Sequence, residues 1–186
     1  VCFGAPGINR ADERRFVLAV LDSILGGSSY SRLLIEVREK RGLAYSVGTY
    51  SEQFTDTGVV ATYVGTREDN VEEACEVIGN ELKKIQCEPV TADELARAKE
   101  HVKGRLVLSG ESTAARMDRI ARATLHGIPL LSLDEMLARV DAVSVEDVSN
   151  LAAELYAEDR LSAAAVGRDG DRFRSAIEPV SGALAA

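Results

Sequence analysis

Tryptophan is absent from this chain and only 5% of its residues are aromatic, so its core cannot rest on large rings. Leu, Val, Ile and Ala must fill it, which suits helices laid against a sheet. Histidine occurs only at His101 and His126, in neither an HxxEH nor an HExxH pattern. Constellations that need two or more imidazoles near each other, on a metal or beside a nucleophile, are thereby largely excluded. The three cysteines, Cys2, Cys75 and Cys87, are odd in number and form no CxxC pair. Neither a disulfide framework nor a zinc ribbon is indicated, and a reducing cytoplasm is the default compartment. Basic residues number 22 against 30 acidic ones, a formal net charge of −8, which argues against nucleic acid or an anionic membrane as partner. No run of about 18 apolar residues occurs and no basic-then-apolar leader opens the chain, so a soluble protein is expected. The start at Val1-Cys2-Phe3 reads as a fragment entered partway through a strand.

What the chain does have is enough length, 186 residues at 46% hydrophobic, for one well-buried core and one domain over 1–186, with a weakly structured tail from about 171. The opening strand turns at Pro6-Gly7, and Phe16, Val17, Val20, Leu21, Ile24 and Leu25 recur at helical spacing up to Gly26-Gly27. A second helix is expected from Ser28 to Lys40, with Leu33, Leu34 and Val37 on one face and Gly42 as a left-handed cap. Leu43 to Gln53 alternates, Gly58 to Gly65 is rich in Val and Thr, and Thr55 to Gly58 has hairpin-turn chemistry. Val71, Cys75, Ile78, Leu82 and Ile85 mark the cleanest amphipathic helix, with Cys75 a small buried hydrophobe. Thr91 with Glu94, Ser132 with Glu135 and Ser144 with Asp147 are capping-box openings. The first of these helices should break at Ser109-Gly110, and the next should stop at Gly127 and Pro129. Leu161 to Val166 reads as a buried or central strand, followed by a weak helical turn at Phe173 to Ile177. The hairpin decides the class: an α+β two-layer sandwich, a largely antiparallel mixed sheet with helices on one face.

Catalytic patterns are scarce. No GxSxG elbow occurs, and no His is placed to serve a serine. Gly26-Gly27-Ser28-Ser29 follows a helix and lacks the Lys-Ser/Thr ending of a phosphate loop, so it reads as a flexible interhelical turn. His101 and His126 read as structural or surface residues, and Glu72, Glu73, Asp93 and Glu94 as helix-start carboxylates set by the dipole.

The informative stretch runs from Ser31 to Ser46. A helix ending in Arg38, a glycine reversal and a strand beginning at Tyr45 can project a guanidinium and a phenol to the same side. Equally, Arg38 can be a solvated helix-end cation and Tyr45 a half-buried strand aromatic.

This stretch resembles the C-terminal-half signature of the insulinase, pitrilysin and mitochondrial processing peptidase family. The matching elements stand in order as Gly26-Gly27, Ser31-Arg32-Leu33, Arg38-Glu39 and Gly42 to Ser46. Weaker likeness extends to Gly4-Ala5-Pro6-Gly7, Thr91 to Lys99 and Val143 to Val148. The resemblance implies the C-terminal, non-zinc half of a clamshell zinc endopeptidase, inactive alone. Zinc would be held by an inverted HxxEH motif in an absent N-terminal half, on the same chain or a separate subunit. It also implies that Arg38 and Tyr45 reach toward a peptide or unfolded polypeptide substrate near that zinc. Tyr45 would stabilise the transition state and Arg38 would bind a substrate carbonyl. A homodimer is compatible with this. The alternatives are a non-catalytic core or partner subunit of the same fold, and a binding module related by descent only.

Overall fold

The computed structural model describes residues 1–181 and 184. Four strands, β1 (Cys2–Gly7), β2 (Ala44–Gln53), β3 (Gly58–Thr66) and β4 (Ser162–Ala164), form one sheet in the order β2-β3-β1-β4. Every pairing in it is antiparallel. The expected hairpin is present, closed by the Phe54 N–H donating to Thr57 O at 2.8 Å.

One face of the sheet is apolar and covered. Phe3, Ala5, Val47, Val60 and Val64 are buried there against α1 (Arg15–Leu25), α2 (Val71–Cys87) and α6 (Val145–Leu155). Between α2 and α6 run α3 (Ala92–Glu111), α4 (Thr113–His126) and α5 (Leu133–Asp141), of which α3 and α5 stack on α1. The amphipathic reading of α2 holds: Cys75, Ile78, Leu82 and Ile85 are buried, and Val71, at its start, is partly buried against the core. Burial pushes the Cys75 thiol up to about 11, as expected for a thiol in apolar surroundings. All three capping boxes are formed.

Several local expectations need correction. The helix proposed for Ser28 to Lys40 starts only at Arg32, because the Ser28 hydroxyl donates to Ser23 O at 2.9 Å and closes the end of α1 instead. From Leu34 to Glu39 it is wound as a π-helix. The Gly26-Gly27 pair is a close-packed joint where a flexible turn was expected: a Cβ on Gly26 would lie 2.5 Å from the Thr49 backbone nitrogen. Helix α3 runs through Ser109-Gly110 to Glu111, since the Ser109 hydroxyl bonds back to Leu106 O at 2.8 Å without breaking the turn. The break falls at Ser112, whose side chain caps α4.

The strand expected to be buried or central is β4, three residues long at the sheet edge. Its small side chains remove too little apolar surface from water to extend the pairing, and Val166 beyond it is fully exposed. After it, α7 (Gly170–Ile177) packs Ala176 and Ile177 onto α2. Its start is capped by the Asp169 carboxylate, which accepts from the Asp171 and Arg172 N–H groups at 3.0 Å each. Residues 182, 183, 185 and 186 of the expected tail lie outside the described residues.

Candidate functional site

The stretch from Arg32 to Ser46 contains two irregularities in a row. In the π-helix the Lys40 N–H reaches Ile35 O, five residues back, at 2.9 Å. The helix then closes with Gly42 N–H on Arg38 O at 3.0 Å and Leu43 N–H on Val37 O at 2.9 Å. Gly42 itself sits at φ 61, in the left-handed region where a side chain is strained. Buried Leu33, Val37 and Leu43 anchor both sides of this reversal in the core.

The second irregularity is a β-bulge. Ala44 pairs with Thr66 and Ser46 with Gly65, which leaves Tyr45 as the extra residue in β2. A bulge shifts the phase of a strand by one residue. Ala44 and Val47 are therefore both buried while Tyr45 and Ser46 are both exposed. The alternation expected from Leu43 onward is broken at the residue of interest.

The result is a stacked pair. The Arg38 guanidinium carbon lies 4.4 Å from the centroid of the Tyr45 ring, within the range of a cation–π contact worth roughly 0.5–1 kcal/mol at an exposed site. Tyr45 is 82% exposed, and its hydroxyl has no hydrogen-bond partner among the described residues. Arg38 has one loose acidic neighbour, Glu39, at 3.5 Å. Thus a phenol and most of a guanidinium's donors stand together at the surface, unspent.

Neighbours that the sequence did not single out hold this corner in place. Leu43 O, two residues before Tyr45, accepts from the Thr66 hydroxyl at 2.6 Å and from the Asn70 side-chain amide at 3.2 Å. Glu36 ties down the helix end by accepting from Lys40 at 2.6 Å and from Arg41 at 2.5 Å. These contacts draw the Glu36 carboxyl below its ordinary value. At the other end of the helix, Arg32 makes a two-point pair with Glu94 at 2.7 and 3.2 Å. Only the Glu36–Lys40 spacing of four was a readable signal; the Glu36–Arg41 contact depends on the local chain reversal, and the others on tertiary approach.

The two histidines are apart from this corner. His101 Nδ1 lies 3.0 Å from the Ser23 hydroxyl, on a hollow of about 410 Å³ between α1 and α3. His126 Nδ1 lies 3.1 Å from the Thr55 hydroxyl at the hairpin tip. Among the described residues no three His, Cys, Asp or Glu side chains cluster as metal ligands. No helix among them is long and apolar enough to cross a membrane.

An antiparallel sheet covered on one face by helices, with an Arg–Tyr pair at the start of its outer strand, defines the class as a two-layer α+β sandwich. The family model described as the peptidase M16 inactive domain matches residues 1–102, more than half of the chain. This chain belongs to that family. Over 95% of its length it is 39% identical to an uncharacterized zinc protease of Streptomyces coelicolor, and over 86% it is 38% identical to one of Bacillus subtilis. It spans 38% and 39% of those relatives' own lengths. A solved peptidase M16 inactive domain from Pseudomonas fluorescens superimposes with a TM-score of 0.77 over 86% of this chain and 39% of that one, at 24% identity. That likeness establishes the fold.

Proposed function

We propose that this chain is the non-zinc half of a zinc-dependent endopeptidase, supplying Arg38 and Tyr45 to a reaction centre whose metal is held by another half. The reading rests on one observation above the others: Tyr45 is 82% exposed, stacked 4.4 Å from Arg38, and has a hydroxyl without a partner. Tyr30 is nearly as exposed, at 77%, so the stack with Arg38 is what sets Tyr45 apart. Membership of the peptidase M16 inactive-domain family, and relatives whose names include zinc protease, support the same assignment.

The zinc, when bound in its own half, supplies Lewis-acid polarisation for peptide hydrolysis. What this chain contributes follows from its own groups. The Tyr45 hydroxyl donates to the oxygen on which negative charge grows, an interaction stronger in the transition state than in the ground state. Arg38, held flat against the ring, offers its outward N–H groups to a backbone carbonyl of an extended polypeptide and fixes the scissile bond beside the phenol. The partner is the zinc-binding half, on the same chain or as a separate subunit, in a homodimer or a fused chain, and the setting is the cytoplasm.

In the reconstituted two-half enzyme, Tyr45→Phe lowers kcat by about a hundred- to a thousandfold, the range for one lost oxyanion donor. The melting temperature of the chain should stay within a degree or so, because so exposed a hydroxyl contributes little to folding. Unchanged turnover would remove Tyr45 from the mechanism. Arg38→Ala lowers kcat/KM, with part of the loss in KM; unaltered kcat/KM would leave Arg38 as a helix-end cation only.

A further inference from the structure

A hollow of about 210 Å³ opens between the start of α1, the end of β2 and the α4–α5 connection, and four arginines line it: Arg10, Arg15, Arg119 and Arg122. In a chain of net charge −8, such a concentration of guanidinium needs an account. Arg122 is neutralised by Asp118 at 2.6 Å. The other three form no ion pair among the described residues. Arg119 donates to Leu131 O at 2.7 Å, while Arg15 reaches Asp12 O at 3.4 Å and lies over the Phe16 ring, 4.8 Å from its centroid. The Arg10 guanidinium donates to the backbone carbonyl of Gln53, while its Nε is sealed from solvent with no partner.

The nearby carboxylates make no ion pair with these three, although Asp12 lies close enough to act on Arg15 through space and Glu52 on Arg122. Asp12 pairs with Arg14 at 2.8 Å, Glu13 with Arg139 at 2.6 Å, and Glu135 is taken up in the cap of α5. Arg15 moreover stands in the first turn of α1, which contains no acidic residue, at the end where the helix dipole disfavours a cation. Three cations without an ion pair round one small cavity are a local conflict of the sort that marks a site. The rest of the wall is apolar, including Phe16, Ile128 and Leu130.

We propose that this hollow binds a small amphipathic anion, a carboxylate or phosphate group carried on a short apolar body. The guanidiniums supply charge-assisted donors to the oxyanion, and the apolar wall covers the remainder of the ligand. At 210 Å³ the space suits a head group and a few methylenes. The site is separate from the Arg38–Tyr45 corner: Gln53 and Tyr45 lie at opposite ends of β2, roughly 26 Å apart at the usual rise of a strand.

Calorimetric titration of the 186-residue chain at low ionic strength, using hexanoate, hexyl phosphate, hexanol and inorganic phosphate, tests the assignment. Hexanoate or hexyl phosphate should bind, with NMR amide shifts in a parallel titration centred on Arg10, Gln53 and Arg119, and the tighter of the two identifies the head group. Arg15→Gln should weaken that binding by about tenfold or more, with Arg15→Lys intermediate. Both variants should melt within a few degrees of the parent, since Arg15 makes only the long contact to Asp12 O and a stack on the Phe16 ring at the edge of the hollow. Equal binding of hexanol, equal binding of inorganic phosphate, no binding of any probe, or indifference to Arg15→Gln would each overturn the proposal.

Discussion

At the scale of single residues, burial decides chemistry more sharply than residue type does. Cys75 and Cys87 stand twelve positions apart on the same helix, yet Cys75 is fully buried and Cys87 exposed. With its thiol raised to about 11, Cys75 offers almost no thiolate at neutral pH and no path for a reagent. Iodoacetamide on the native chain at pH 8, followed by peptide mass mapping, should label Cys87 and leave Cys75 unmodified until denaturant is added. Prompt labelling of Cys75 would contradict the packing of α2. The stripe of Cys75, Ile78, Leu82 and Ile85 was legible in the sequence because an apolar residue every third or fourth position has one helical solution. The exposure of Tyr45 was not: the sequence left open whether it was half-buried in a strand, and a single extra residue in β2 decided that.

At the scale of elements, the capping-box starts and the glycine stops at Gly42 and Gly127 were readable, and the closer-packed joints were not. Thr91, Ser132 and Ser144 announce their helices because a hydroxyl and a carboxylate three residues apart satisfy each other's neighbouring N–H groups locally. The π-winding from Leu34 to Glu39 and the bulge at Tyr45 have no such mark. Each is a one-residue misfit between a local pattern and the core it must meet. Gly26 shows the same limit: its spacing suggests a pause in the chain, but its tolerance is set by Thr49, 23 positions on, across the helix–sheet contact. Gly26→Ala would drive a methyl group to 2.5 Å from the Thr49 nitrogen. It should cost about 1–3 kcal/mol, the usual range for forced overpacking. Urea unfolding would measure this, and a neutral result would mean that the joint can open without loss.

At the scale of the whole molecule, ion pairs clasp helices that are distant in sequence, and Arg32–Glu94, which joins the helix ending at Glu39 to α3, is the best sheltered of those near the Arg38–Tyr45 corner. Burial alone would raise the Glu94 carboxyl, but the Arg32 guanidinium and the Thr91 N–H and hydroxyl outweigh it and bring it to about 2. A carboxyl lowered by folding contributes stability above its ordinary value of 4.5 and loses it as pH falls toward 2. Discounted for its partial exposure, the contribution is about 1–2 kcal/mol. Glu94→Gln should therefore be less stable than the parent by about that much at pH 6–7, with the gap narrowing steadily below pH 4.5. A gap independent of pH would show that packing alone is lost. The layering of helices on a covered sheet could be anticipated from composition and the hairpin, whereas the clasp joining residues 62 positions apart could not.

The bulge has an evolutionary consequence. Because Tyr45 is the unpaired residue of β2 and its side chain is almost wholly outside the core, the scaffold is indifferent to what stands there. Lineages that inherit this sandwich can switch its reactivity off or on by exchanging one surface side chain, with every interior contact retained. Intact architecture is then a poor guide to which members are still working enzymes, and the identity of a single protruding group is a better one.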